Sequence, residues 1–158
     1  MASNNTVQAS ALACGVSIEG LVKKYFESCF PVPNDELEHL NKAKLMLKDI
    51  DIDQGVKDKL NSSLDNFKNK SPKRVLFEVC KEIDINSKLV RIWSGLRNRS
   101  AHADDLDMDQ QKFEEYFLQY ISCFYLFYRL LFLVIEYRGN CIDYTSIGCP
   151  EIQAYKIE

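Results

Sequence analysis

Apolar residues recur three and four positions apart in six successive stretches of the chain, the spacing of one face of an α-helix. Val7, Ala11, Cys14, Ile18, Leu21, Val22, Tyr25 and Cys29 predict one long first helix, which Pro31 and Pro33 stop. Asn34 stands where an N-cap belongs. Asp35 and Glu36 suit the positive end of the helix that follows, and Leu40, Ala43, Leu47 and Ile50 form its stripe. Asp53 caps a shorter, more polar helix carrying Val56, Leu60, Leu64 and Phe67, closed by the Asn-Lys-Ser-Pro run at Asn69 to Pro72. Ser71 and Pro72 read as N-cap and first position of a fourth helix that buries Val75, Leu76, Val79 and Ile83. Asn86 or Ser87 opens a fifth, with Leu89, Ile92, Trp93 and Leu96 inside, ending somewhere between Ala101 and Asp105. The last and longest starts near Asp109 and presents Phe113, Phe117, Ile121, Phe124, Tyr128, Leu131 and Ile135 until Gly139 terminates it.

Alternating strand patterns and hairpin dipeptides are missing from this run, and residues 140–158 show no sustained period. The expected class is therefore all-α: an antiparallel bundle of about five to six helices over 1–139, with a short irregular tail over 140–158 holding at most a brief extended piece. Phe117 to Ile135 is nearly apolar all round and about as long as a bilayer is thick. Gln119 and Arg129 lie within it, however, and an arginine near the bilayer centre costs on the order of 3 kcal/mol. A central helix, with no membrane association, is the better expectation. Its crowding of Phe124, Tyr125, Phe127, Tyr128 and Phe132 exceeds what one bundle face needs and points to a buried homodimer surface.

Composition narrows the function. The chain has 158 residues, 46% of them hydrophobic, enough for one domain with a core that needs no disulfide or metal staple. Twenty Lys and Arg against 23 Asp and Glu give a net charge of −3, which excludes coating nucleic acid by bulk positive charge. No two of the six cysteines have the close spacing of a zinc knuckle, and the first residues lack the basic and apolar regions of a secretory signal. Reduced core thiols, a cytoplasmic setting and no metal or cofactor are expected. The chain also suits a domain of a longer parent that carries a sensor elsewhere.

The mild acidity conceals an uneven distribution. From Lys68 to Ala103 nine basic residues face three acidic ones, a local surplus of six. That segment ends in Arg97-Asn98-Arg99-Ser100-Ala101-His102, which contains one of the two histidines and lies where the fifth helix gives way to an acidic turn. Within a continuous helix, residues five apart point about 140° away from each other. Arg97 and His102 thus share a site only if the helix ends between them or if they meet copies of themselves across a dimer. Read as packing alone, the cations would simply complement a helix C-terminus. His39 falls on a charged face, Trp93 is a core residue, and Ser94 has no histidine placed for acyl transfer.

Leu96 to His102 resembles the Arg-polar-x-x-x-His signature of HEPN domains, helical nucleases of prokaryotic defence and RNA processing. The opening Ala13-Cys14-Gly15-Val16-Ser17-Ile18-Glu19-Gly20-Leu21 helix, the aromatic last helix and the Tyr137-Arg138-Gly139-Asn140-Cys141-Ile142-Asp143-Tyr144 exit are similar to ApeA-type C-terminal HEPN domains. The resemblance implies a HEPN-like bundle, dimeric through the motif, that cuts RNA, tRNA among the candidates, without a metal. Arg97, His102 and Asn98 would be catalytic. Arg99, Arg91, Lys88, Lys73 and Arg74 would hold RNA, with Glu19 and Lys23, an acidic residue followed four positions later by a basic one, supporting the cleft or forming an ordinary surface pair. The alternative is a non-catalytic HEPN module for dimerisation or for binding RNA or a partner.

Overall fold

The computed structural model describes residues 4–101 and 109–154. Among them are six α-helices: α1 (Asn4–Leu21), α2 (Asn34–Asp49), α3 (Gln54–Asn66), α4 (Pro72–Glu82), α5 (Lys88–Ala101) and α6 (Gln110–Val134). Two short strands follow, β1 (Asn140–Ile142) and β2 (Glu151–Gln153). The fold is helical as expected, with a minor sheet where an irregular tail was expected. The strands pair antiparallel, Cys141 opposite Ile152, and the ladder is prolonged by Ala154 N–H to Gly139 O and Asp143 N–H to Pro150 O. The Tyr128 hydroxyl donates to Ile142 O and fastens this hairpin to α6.

α1, α5 and α6 pack on one another, and α4 closes the group against α5 and the end of the first helix. Ile18, Leu76, Val90, Leu96, Leu126 and Leu130 meet in the fully buried centre. Ser71 Oγ accepts the Arg74 N–H at the start of α4, with Pro72 in the first turn, as the sequence predicts. Asp53 and Asp109 cap α3 and α6 in the same way.

Several local expectations fail for physical reasons. The first helix is not uniformly α: a π turn occupies Val22–Phe26 and a 3₁₀ turn Glu27–Cys29. The wider turn buries Val22 and Phe26 together and leaves Tyr25 and Cys29 exposed. Asn34 is already helical, because Pro33 O accepts the Leu37 N–H and Pro33 is the cap. α6 ends at Val134 rather than at Gly139. Glu136 takes the left-handed conformation (φ 54°), which lets Tyr137 N–H reach Phe132 O at 2.9 Å and brings their rings to 4.7 Å.

The stripe read on α6 is its outer face. α1 and α5 cover the side carrying Tyr116, Cys123, Leu126, Arg129 and Leu130, while Phe117 and Phe124 stay exposed. In a helix apolar all round, periodicity has no polar face from which to choose. In α2 and α3 only Leu47 is buried; Ala43, Ile50, Val56, Leu60 and Phe67 are exposed, since the two helices pack chiefly on each other. By length and composition α6 is apolar enough to cross a membrane. All six cysteines are free, but only Cys14, Cys80, Cys123 and Cys141 are buried; Cys29 and Cys149 are exposed.

Candidate functional site

The last turns of α5 are anchored from inside. Leu96 is buried, and the indole of buried Trp93 donates from Nε1 to Gly15 O of α1 at 3.0 Å. α1 and α5 come close at this point: a methyl group on Gly15 would lie 3.4 Å from Arg97 Cβ. The anchored helix therefore sets Arg97 directly over α1. One turn beyond Gly15 on α1 stands Glu19, whose side chain is only 18% exposed. Its two oxygens divide between two cations, Arg97 Nη2 at 2.6 Å and Lys23 Nζ at 2.7 Å.

This three-way cluster explains Glu19's titration. The hydrogen bond from Lys23 and, after it, the charge of Arg97 outweigh burial and hold the carboxyl below its ordinary value. Lys23 belongs to the π turn, so the change of helical pitch falls beside the cluster. Glu19 and Lys23 thus form more than a surface pair, because Arg97 completes them.

The cluster opens on a cleft of about 250 Å³ lined by Glu19, Ser71, Pro72, Lys73, Trp93, Ser94, Arg97 and Asn98. Arg97 is 40% exposed, so it faces the cleft while held on one edge by Glu19. Asn98 is exposed beside it, and Lys73 rises from the first turn of α4. The helix continues through Ala101. His102 lies outside the described residues.

The other basic candidates scatter. Arg74 makes a two-pronged contact with Glu36 at 2.8 and 2.5 Å and lies beside Glu78. Arg99 donates to Gln119 of α6. Arg91 is exposed, and Lys88 is exposed on the rim of a different cleft. The local surplus of positive charge is thus met by acidic residues from outside the segment: Arg97 by Glu19, Arg74 by Glu36 and Lys68 by Asp65. A one-dimensional count has no view of such partners.

Sequence reasoning missed Gly15, whose signal was a glycine inside a strong helical pattern, and the hydrogen-bonding role of Trp93. The buried thiols are packing groups: desolvation pushes Cys14 up to about 11 and Cys80 and Cys123 up to about 12, away from the thiolate form a nucleophile needs. No three His, Cys, Asp or Glu side chains cluster as metal ligands among the described residues. No family model, no curated protein and no solved structure matches the chain.

Proposed function

We propose that the protein is a HEPN-type, metal-independent endoribonuclease that works as a homodimer. The observation that carries this reading is the motif arginine itself, Arg97, half-exposed in a cleft and gripped by the largely buried carboxylate of Glu19, which the exposed Lys23 also holds. A cation that merely decorated a helix end would not need a carboxylate supplied by another helix.

In this reading the His102 imidazole takes the proton from a ribose 2′-hydroxyl or gives one to the departing 5′-oxygen. The 2′-oxygen bonds to phosphorus as the P–O5′ bond breaks, leaving a 2′,3′-cyclic phosphate and a 5′-hydroxyl. Arg97 supplies fixed charge and paired donors to the phosphorane. Asn98 binds a phosphate oxygen or orients His102, Lys73 takes a neighbouring phosphate, and Glu19 with Lys23 positions Arg97. Arg91 and Lys88, which lie outside this cleft, serve as distant contacts.

Helical backbone through Ala101 supports the composite form, because it leaves little chain in which His102 can turn back towards Arg97. An apolar face suited to pairing is also present. The rings of Phe113, Phe117, Tyr120, Phe124, Tyr128 and Phe132 follow one another along α6, and Tyr137 just past its end continues them, at centroid distances of 4.7 to 6.4 Å. Gln119, which receives Arg99, sits next to the exposed Leu118 of that surface, linking it to the motif helix. A larger cavity of about 850 Å³ shares Ser71 and Pro72 with the cleft, giving an RNA strand room to continue past Phe67 and His39. A bacterial defence or toxin-like role in the cytoplasm, tRNA as substrate and a sensor in a longer parent chain complete the proposal.

One observation favours the non-catalytic alternative: Glu19 occupies the edge of Arg97 that a phosphate would otherwise use. The purified chain is incubated with total RNA in EDTA beside Arg97→Ala and His102→Ala. Cleavage leaving cyclic phosphate ends, reduced about 100-fold or more in each variant, supports the nuclease. RNA left equally intact by a folded wild-type dimer and both variants selects the non-catalytic module.

A further inference from the structure

The Arg97 cleft is the first of three that join end to end. It shares Ser71 and Pro72 with the cavity of about 850 Å³, which in turn shares Lys23, Glu27, Asn69 and Lys70 with a third, of about 450 Å³, beside Phe30, Pro31 and Val32. The start of α4, the π and 3₁₀ turns and both helices of the α2–α3 hairpin wall this groove.

Seven basic side chains line the three clefts against the carboxylates of Glu19, Glu27 and Glu36. Asp65 and Glu78 reach in from outside to Lys68 and Lys70, which leaves a surplus of two positive charges. Two lysines are free to meet a ligand. Lys73, at the Arg97 end, and Lys24, at the far end, are exposed, and no carboxylate among the described residues holds either; Lys24 rests against the Tyr25 ring.

Between these ends the middle cavity presents Phe67, 68% exposed, together with Asn66, Asn69 and His39. Leu45, Met46, Val56 and Leu60 of the hairpin are exposed as well but line none of the three clefts, so the aromatic residue is the one set on the groove. A flat apolar ring beside amides, with free cations on either side, matches a nucleobase and its backbone. A duplex keeps its bases stacked inside and has no base face to offer such a ring.

We propose that the substrate is unpaired RNA, and that Phe67 stacks on a base outside the Arg97 cleft while Lys73 and Lys24 hold the backbone on either side. The proposal rests on the reading of the Arg97 cleft as an RNA site and adds to it a subsite and a substrate class.

The test is fluorescence anisotropy of a labelled RNA of about 12 nucleotides without self-pairing, bound to the full chain carrying His102→Ala so that the strand stays intact. Adding Phe67→Ala should weaken binding about tenfold, and Phe67→Trp should restore it. Leu60→Ala, also exposed on α3 but off the groove, should leave binding unchanged. Lys24→Gln should reduce the slope of log K against log salt by about 0.7. A duplex of the same length should bind alike with and without Phe67. Failure of the single strand to bind, affinity unchanged by Phe67→Ala, or an equal loss on the duplex overturns the proposal. Cleavage of total RNA by the chain with His102 intact separates it from the nuclease reading: uncut RNA with Phe67-dependent binding keeps the subsite and removes the nuclease, whereas RNA cut without Phe67-dependent binding does the reverse.

Discussion

The α1, α4, α5 and α6 body and the α2–α3 hairpin are written in the same helical code but end in different surroundings. In the body, Ile18, Leu96, Leu126 and Leu130 are covered on every side. In the hairpin, Leu45, Met46, Leu60 and Phe67 stay exposed, and Leu47 alone is buried. Each hairpin helix has one principal neighbour, whereas α1, α5 and α6 each have at least two. A stripe of apolar residues therefore marks the face a helix is able to bury, and the number of partners decides how much of it is buried.

The largest expected effect tests that difference directly. Leu126→Ala removes a fully buried side chain from the body and should cost about 3–4 kcal/mol in urea unfolding. Met46→Ala, on the exposed face of α2, should stay within about 0.5 kcal/mol. A comparable loss at both positions would mean that the hairpin face is covered in solution.

Next in size is the aromatic surface of α6, on which Phe117 and Phe124 stay exposed. Phe124→Asp puts a charge in the middle of that ring series without touching the inner face. A dimer built there should weaken about 100-fold, read by sedimentation, with unfolding of the monomer little changed. An unaltered dimer would move the interface elsewhere.

Helix existence and several caps were legible in the sequence because they depend on neighbours in the chain. Ser71 and Asp53 cap where expected, and the last helix starts at Asp109, near which it was expected to begin. The inner face of α6 was not legible, since choosing between two apolar sides depends on α1 and α5. The π turn depends on burying Val22 and Phe26 at once, and the left-handed Glu136 on a contact between Phe132 and Tyr137. In the site, Arg97 and Asn98 were legible from the motif. That Glu19 bridges Arg97 and Lys23 follows from the close approach at Gly15, 82 residues before Arg97 in the chain.

Helix caps give the next contrast between body and hairpin. Ser71→Ala removes the α4 cap from the body and should lower global stability by about 1 kcal/mol. Asp53→Ala removes the same type of cap from α3. In a hairpin that opens independently of the body, loss of the cap should appear as faster amide exchange over residues 54–66, with the unfolding midpoint nearly unchanged. Equal shifts of the midpoint would show that hairpin and body unfold as one.

The smallest effect compares two carboxylates that both hold an arginine. Glu19, in the body, and Glu36, on the hairpin, are each kept below the ordinary carboxylate value of about 4.5, the first chiefly by Lys23 and then Arg97, the second by Arg74. A depressed carboxyl stabilises the folded state above its unfolded pKa, and that stability fades as pH falls through the lower folded value. Wild type should therefore exceed Glu19→Gln in stability at neutral pH, with the gap closing on acidification below about 4.5. Glu36 and Arg74 are both more than 40% exposed, so their pair is open to water and salt. Glu36→Gln should show a smaller gap that 1 M salt removes, while the largely buried Glu19 keeps part of its own. Equal salt sensitivity at both positions would place Glu19 in open solvent and weaken its part in fixing Arg97.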